Sequence, residues 1–138
     1  MRQAFHTIAV STKGPGLYEI TKQVENFIAA ENLSDGLLTC FIRHTSASLL
    51  IQENADPDLQ KDLQTFFSQL AKNGMNYRHT AEGPDDMPSH IRSALTQISI
   101  AIPVRGGKAA LGTWQGLYVF EHRDAPHRRE VLLHCLGE

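Results

Sequence analysis

Short apolar runs joined by short polar connections are the feature that most restricts how this chain can fold. Most of the connections are too short for a parallel crossover, which takes a dozen or more residues. The runs are rich in β-prone residues and too short for stable helices, so we expect each of them to be a strand. They span residues 5–10, 37–44, 46–52, 98–104, 109–113, 117–122 and 131–136. The pattern predicts a largely antiparallel sheet, either open or closed into a barrel or sandwich.

Two or three helices are expected to pack on this sheet. Apolar residues recur at helical spacing over residues 21–32, and a short helix is predicted from Pro88 onward. The clearest helix follows Asp56, which can cap it, and Pro57, which suits the first helical position. We expect its apolar side to lie against the sheet, and that side consists of Leu59, Leu63, Phe66, Phe67 and Leu70. The buried side expected for the short helix consists of Ile91, Ala94 and Leu95.

The composition indicates one domain of the α+β class. The 138 residues are enough for a single core, and 41% of them are hydrophobic, so we expect residues 1–138 to form one unit. A net charge of −2 and the absence of a basic tract indicate that nucleic acid is not a partner. No apolar run is long enough for a membrane span or a signal peptide. We therefore expect a cytoplasmic protein with no membrane contact.

Function is expected in residues 75–91, a polar segment in a chain that is 41% hydrophobic. The segment holds His79 and His90 together with the carboxylates of Glu82, Asp85 and Asp86. Ten residues separate the two histidines, a spacing that matches no compact zinc motif. Carboxylates between histidines can nevertheless orient a ligating imidazole, activate a water or hold Mg²⁺ themselves. The alternative is a solvated acidic loop in which Asp86 caps the following helix.

Further candidate residues lie outside this segment. His44 follows the apolar residues of its run at strand spacing and is expected at a strand end, where a core gives way to a cleft. Trp114 and Gln115 lie between glycines, where backbone can approach a ligand closely, although Trp114 could equally fill a gap in the core. Cys40 and Cys135 lie in apolar runs and are expected to be buried thiols without a catalytic role. The motifs of serine hydrolases, phosphate-binding loops and dinucleotide-binding domains do not occur.

Four segments together resemble a known family. They are residues 44–47 (His-Thr-Ser-Ala), 53–57 (Glu-Asn-Ala-Asp-Pro), 79–91 (His-Thr-Ala-Glu-Gly-Pro-Asp-Asp-Met-Pro-Ser-His-Ile) and 112–116 (Gly-Thr-Trp-Gln-Gly). In this order they resemble the YjbQ family, also called UPF0047, over nearly the whole chain. The resemblance implies a small α+β homotrimer with a histidine-lined pocket that can hold a divalent metal, Zn or Mg. It also implies, as in some members, a secondary thiamine-phosphate synthase activity.

Carried over residue by residue, the resemblance assigns the shared histidines to His44, His79 and His90. It extends to Trp114 and Gln115 in the last of the four segments. Residues 121–128 depart from the family pattern, because many relatives have Glu-Phe-Asp-Gly-Pro-Arg where this chain has Glu-His-Arg-Asp-Ala-Pro-His-Arg. No role is therefore carried over to the histidines of that segment.

One functional hypothesis is a transferase, a thiamine-phosphate synthase that joins a pyrimidine methyl diphosphate to a thiazole phosphate. Departure of the diphosphate requires Mg²⁺ or basic groups on the leaving oxygens, and Asp85 and Asp86 would hold Mg²⁺. Arg92 or another arginine would bind phosphate, and Trp114, with Gln115 beside it, would lie on the pyrimidine or on the cationic carbon.

The other hypotheses do not require this transfer. A metal-dependent hydrolase of a small anionic substrate would bind its metal through His44, His79 and His90, with Glu82 as the base. The catalytic residues expected on these hypotheses are His44, Glu82 and His90. A non-catalytic trimer that binds a metal or a small anion is the remaining alternative. The expected partner is a small phosphorylated molecule.

Overall fold

The strands of this chain form two antiparallel sheets. The computed structural model describes residues 1–138 and contains three helices and eight strands. The strands are β1 (Arg2–Thr12), β2 (Gly16–Glu19), β3 (Gly36–Ile42), β4 (Ala47–Glu53), β5 (Ser99–Arg105), β6 (Lys108–Ala109), β7 (Gln115–Glu121) and β8 (His127–Gly137). The helices are α1 (Thr21–Glu31), α2 (Pro57–Leu70) and α3 (Asp86–Leu95). The prediction of an α+β fold with largely antiparallel strands is confirmed.

The sheets contain five and three strands. The larger sheet has the order β1-β8-β3-β5-β6 and the smaller the order β2-β7-β4. β1 and β8 pair along their whole length, from Arg2 opposite Gly137 to Thr12 opposite His127. This pairing explains why both strands exceed the apolar runs that predicted them, because ladder hydrogen bonds also hold polar residues in extended backbone. β6 is shorter than the predicted run of residues 109–113.

Both sheets and α1 bury their apolar residues in one core. α1 contributes Val24, Phe27 and Ile28, at the helical spacing that predicted it. Burial of one such side chain stabilises the fold by about 1.5–3 kcal/mol. Cys40 and Cys135 are buried in the same core, and burial raises the pKa of the Cys40 thiol to about 12. A thiol of that kind is not a nucleophile at neutral pH.

α2 begins where the sequence indicates but packs less closely than expected. Asp56 caps the helix, because its Oδ1 accepts a hydrogen bond from a backbone N–H two residues on, at 2.9 Å. Phe67 packs edge-on against Phe120 of β7, with 5.4 Å between ring centroids. Phe66 and Leu70 are 58% and 53% exposed. The expectation that the whole apolar side of α2 lies against the sheet was wrong for these two residues.

α3 differs from its prediction in having a polar buried side. The helix begins at Asp86, two residues before Pro88. It packs over the end of β7, where the Ser89 hydroxyl donates to the carbonyl of His122 at 2.9 Å. Nε of Arg92 and the hydroxyl of Ser93 are buried on the same helix without a hydrogen-bond partner. Leu95 is 58% exposed. The prediction of a buried apolar side was therefore wrong, and the buried residues are Asp86, Pro88, Ser89, Arg92 and Ser93. None of the helices is long and apolar enough to cross a membrane.

Candidate metal centre

The first turns of α3 bring two imidazoles and one carboxylate together. Asp86 and His90 are four residues apart on the helix and therefore lie on one face. His79 reaches them from the loop between α2 and α3. Nε2 of His79 is 2.8 Å and Nε2 of His90 is 3.2 Å from the same Oδ2 of Asp86. Because their ligand atoms all lie within 4.8 Å of one another, the three residues can share one ion, and we call them the histidine-aspartate cluster.

The orientation of His90 creates a conflict that a cation relieves. Its Nδ1 lies 2.9 Å from the carbonyl oxygen of Thr45, which can only accept, so Nδ1 carries the hydrogen and donates. In the neutral ring Nε2 then has only a lone pair, yet it faces the carboxylate of Asp86, which is also an acceptor. A metal ion between them, or a second proton on the ring, makes this contact attractive. A backbone carbonyl on the other nitrogen is a common partner of a metal-ligating histidine.

Arg123 holds the Asp86 carboxylate through the oxygen that the histidines leave free. Asp86 is 2% exposed, and Nη1 of Arg123 donates to its Oδ1 at 2.9 Å. Nε of Arg123 donates to Oδ2 of Asp85 at 3.0 Å, and Nη2 donates to the carbonyl of Glu82 at 3.0 Å. The hydrogen bond to Asp85 is the main reason that the pKa of Arg123 is raised. One guanidinium therefore bridges two carboxylates and the loop backbone, which keeps the cluster in place.

Asp85 is a structural link between the loop and the end of β7. Burial disfavours its ionised form, but hydrogen bonds from the Asp124 backbone N–H, at 2.9 Å, and from Arg123 outweigh burial and lower the pKa of Asp85. Gly83 makes the preceding turn with a φ of +106°, which residues other than glycine rarely adopt. A Cβ at this position would lie 3.3 Å from Oδ1 of Asp85. The loop therefore depends on glycine here.

A buried ion pair between Glu121 and Arg129 anchors the backbone next to Arg123. The fully buried Glu121 accepts hydrogen bonds from the backbone N–H groups of His122 and Arg123, at 3.0 and 3.3 Å. Arg129, which is 3% exposed, donates to both of its carboxylate oxygens, and the Thr12 hydroxyl donates to Oε1 at 2.6 Å. Burial disfavours the ionised form of Glu121, but the hydrogen bonds from Arg129 and Thr12 outweigh it and lower its pKa. The backbone that carries Arg123 is thus anchored by charge-assisted hydrogen bonds.

His44 lies outside the histidine-aspartate cluster. Its Nε2 accepts a 2.8 Å hydrogen bond from the backbone N–H of Glu130 on β8, and its Nδ1 is 3.4 Å from Nη1 of Arg129. Burial, followed by the charge of Arg129, lowers the pKa of His44, so its ring is neutral at pH 7. The residue after His44 does contact the cluster, because the backbone carbonyl of Thr45 accepts the hydrogen bond from His90.

Among the expected site residues, the structure brings His79, His90 and Asp86 together. Glu82 lies at the edge of the same loop. Its side chain is 71% exposed, and its carboxylate is 3.8 Å from Nη1 of Arg123. Glu82 is therefore free to move, whereas Asp86 is fixed.

The residues expected to bind substrate make their contacts away from the histidine-aspartate cluster. The Trp114 ring is 65% exposed, so it does not fill the core. Oε1 of Gln115 accepts a hydrogen bond from the backbone N–H of Gly112 at 2.8 Å, within its own turn. Arg92 is buried on α3, where Nη2 donates to the carbonyl of Ala71 at 2.7 Å. None of these side chains contacts the cluster.

The sequence reasoning did not identify three supporting groups: Arg123, the buried Glu121–Arg129 pair and the Thr45 carbonyl. The available signal was Glu121, because it is the charged residue at the end of the otherwise apolar run that forms β7. A charge in such a run is rare unless a buried partner neutralises it. No sequence signal indicates that the Thr45 carbonyl meets His90.

A cavity of about 290 Å³ opens beside His79. Its walls include Met75, Tyr77, Thr80 and Pro84. Ligand pockets usually measure roughly 300–1,000 Å³, so this one suits a small molecule. The cavity gives such a molecule a place next to the histidine-aspartate cluster.

Comparisons with known proteins agree over nearly the whole chain. A family model described as UPF0047 protein YjbQ-like matches residues 6–138. A UPF0047 protein of Synechocystis sp. is 49% identical over 138 residues, which cover 99% of this chain and 94% of that protein. The UPF0047 protein YjbQ of Escherichia coli O157:H7 is 38% identical over 133 residues, which cover 96% of each chain. A YbjQ-like protein of unknown function from Sulfolobus solfataricus has a similar crystal structure, with a TM-score of 0.91, 25% identity and 99% of both chains covered.

Proposed function

The chain belongs to the UPF0047 family of YjbQ-like proteins, and we propose that it is a metal-dependent hydrolase acting on a small anionic substrate. The observation that carries this proposal is the meeting of two imidazole nitrogens at one carboxylate oxygen, 2.8 and 3.2 Å away. His79, His90 and Asp86 are the residues that would hold the ion.

The donor set fits a transition-type divalent ion better than Mg²⁺. Imidazole suits Zn²⁺ and its neighbours, whereas Mg²⁺ prefers oxygen ligands and keeps several waters. The His90 ring, which presents a lone pair to the Asp86 carboxylate, supports the same choice. Two histidines and one carboxylate leave an open position, as in catalytic zinc sites. When bound, such an ion would supply Lewis acidity and an activated water.

The charge of the cluster supports an anionic substrate. Two neutral imidazoles and one carboxylate leave a divalent ion with one uncompensated positive charge. Arg123 donates to the same carboxylate, which withdraws electron density from that ligand and makes the site still more electrophilic. An anion in the cavity beside His79 would therefore be attracted to the cluster.

Glu82 is the residue we propose as the base. Asp85 and Asp86 are both held by Arg123, so neither carboxylate is free to accept a proton. The Glu82 carboxylate has only the 3.8 Å contact with Arg123 and is largely exposed. A short movement of this loop side chain would let it take a proton within the cavity.

Thiamine-phosphate synthase activity stays a prediction with less support from the geometry. That reaction would use Asp85 and Asp86 for Mg²⁺, but Arg123 already binds both carboxylates. Trp114, expected on the pyrimidine, has its ring in solvent. A diphosphate transfer site also has to exclude water, and an exposed ring does not provide that.

We propose further that the protein is a homotrimer, as the family resemblance implies. The outer face of the larger sheet carries exposed apolar side chains that are adjacent in register, since Leu37 of β3 lies opposite Leu136 of β8. Phe41 on β3 and Phe5 on β1 extend this surface, and Phe5 stacks on His134 with 4.3 Å between ring centroids. Contiguous apolar surface of this kind usually marks a site of association.

The hydrolase proposal is tested by turnover of a panel of small phosphate and carboxylate esters by zinc-loaded protein. We expect hydrolysis of at least one class of ester, with kcat lowered about 100-fold or more in Glu82→Gln and abolished in Asp86→Asn. Asp58→Asn is the matched control, because Asp58 is an exposed carboxylate on α2. Equal turnover by Asp86→Asn and Asp58→Asn would contradict the proposal. Tight zinc binding without turnover of any ester would favour the non-catalytic alternative.

A further inference from the structure

We propose that a second cavity, separate from the histidine-aspartate cluster, binds the phosphate group of a small molecule through Arg92. The cavity measures about 340 Å³ and lies between α2, α3 and two surface turns. Apart from Pro15, the residues that line it are polar or charged. We call it the Arg92 cavity.

Arg92 is a buried cation with no carboxylate in contact, although the charges of Asp124 and Asp85 act on it from farther away. Its side chain is 8% exposed, and no carboxylate oxygen lies within 4.0 Å of the guanidinium. Nη2 donates to the carbonyl of Ala71 at 2.7 Å, whereas Nε is buried and has no hydrogen-bond partner. A guanidinium carries five N–H donors, so most of its capacity is unused. Burying a charge without a partner is costly, and an oxyanion in the cavity would supply that partner.

The other residues of the Arg92 cavity are suited to an oxyanion. Gln64, Thr65 and Ser68 line it from one side of α2, and Asn73 follows that helix. The amide groups and the Thr65 hydroxyl can donate hydrogen bonds to phosphate oxygens alongside a planar guanidinium, whereas the Ser68 hydroxyl donates to the carbonyl of Thr65 at 2.9 Å. The arrangement therefore combines one fixed charge with several neutral donors.

Asp124 is the one carboxylate in the lining, and it limits the positive charge of the cavity. It is exposed and makes no ion pair with Arg92 within 4.0 Å. Water screens an exposed carboxylate at the rim more than it screens the buried guanidinium. Asp124 therefore compensates the charge of Arg92 only in part.

Capping of α2 explains only part of the contact made by Arg92. Ala71 is the C-cap residue of α2, and a cation near a helix C-terminus is favourable. That role uses one donor and leaves Nε without a partner. Capping alone would also be possible from the surface, where the charge would stay hydrated.

The Arg92 cavity and the metal centre lie on different sides of α3. Arg92 and His90 are two residues apart, which places them about 200° apart around the helix. Phosphate binding in the Arg92 cavity therefore does not depend on the hydrolase proposal.

The test is calorimetric titration of metal-free protein with inorganic phosphate at constant ionic strength, with chloride as the reference salt. Gln64→Glu places a carboxylate in the cavity, and Gln69→Glu makes the same change on α2 outside it. We expect the wild-type protein and Gln69→Glu to bind one phosphate per chain, and Gln64→Glu to bind at least 10-fold more weakly. His79→Ala should bind phosphate as the wild-type protein does.

Thermal unfolding with and without phosphate provides a second measurement, because a ligand that binds the native state raises Tm. Phosphate should raise the Tm of Gln69→Glu and leave that of Gln64→Glu nearly unchanged. Absence of phosphate binding to the wild-type protein would overturn the proposal and leave Arg92 as a helix cap. Equal binding by the two glutamate variants would also overturn it, since the ion would then bind elsewhere.

Discussion

Replacing Arg129 with methionine would leave the Glu121 carboxylate buried without its counter-ion. Glu121 is fully buried and Arg129 is 3% exposed, so water cannot compensate for the loss. The variant also removes hydrogen bonds from Nη2 to the carbonyl and hydroxyl of Ser46, at 3.2 and 3.0 Å. Glu121 keeps the Thr12 hydroxyl and two backbone N–H groups, which stabilise it only in part.

The expected loss in the free energy of unfolding is about 3–5 kcal/mol, the range for breaking a buried pair on one side. Domains of this kind are stable by about 5–15 kcal/mol, so the variant would lose about a third to a half of that stability if the total is near the middle of the range. Urea unfolding at pH 7 measures the difference. Arg128→Met is the matched control. Arg128 is the exposed neighbour of Arg129, so its replacement should change the free energy of unfolding by no more than about 0.5 kcal/mol.

The pH dependence gives an independent check on the same pair. The folded-state pKa of Glu121 is lowered from its ordinary value of 4.5, so its contribution to stability is fully present above that value. The contribution is lost as the pH falls through the folded-state pKa. In Arg129→Met, protonation of Glu121 removes the cost of its unpaired buried charge. The difference in the free energy of unfolding between the wild-type protein and the variant should therefore decrease as the pH is lowered. A loss in the free energy of unfolding below about 1 kcal/mol at pH 7, or a difference between the two proteins that does not change with pH, would refute this reasoning.

Three further predictions concern the metal centre and the surface. Arg123→Met should weaken zinc binding about 10- to 100-fold by calorimetry, because the Asp86 carboxylate would no longer be held in place, whereas Arg105→Met should not. Equal affinities of the two variants would contradict the positioning role of Arg123. Phe41→Glu should convert the proposed trimer to monomers in light scattering, and an unchanged mass would exclude this face from the interface. Trp114→Ala should alter the free energy of unfolding by less than about 0.5 kcal/mol in urea, and a larger loss would mean that the ring packs against another subunit.

Local chemistry allowed much of the fold to be predicted from the sequence. The Asp56 cap depends on residues a few positions apart, and the buried face of α1 follows from helical spacing. The strands were recognisable for the same reason, although their ends were not. β1 continues to Thr12 because its partner β8 does, and that partner lies more than a hundred residues away in the chain.

The candidate site was predictable only where its residues are close in sequence. Asp86 and His90 lie on one helix face, which their spacing indicates. His79 contacts Asp86 only because of the conformation of its loop. His44 accepts its hydrogen bond from the backbone of Glu130, so its position depends on β8. Burial on α3 was mispredicted because apolar residues were expected inside, whereas Ser89 and Arg92 are buried there and donate to backbone carbonyls of other elements.

The most direct test of the proposed metal centre is the zinc affinity of metal-free protein measured by calorimetry across a set of histidine variants. The wild-type protein should bind one Zn²⁺ per chain. His79→Ala and His90→Ala should each lose more than about 100-fold in affinity, beyond the 10- to 100-fold effect of outer-shell changes. His44→Ala should keep a comparable affinity, because that ring is bonded to β8. Wild-type protein that binds no zinc, or a loss in His44→Ala as large as in His79→Ala, would contradict the proposed set of ligands.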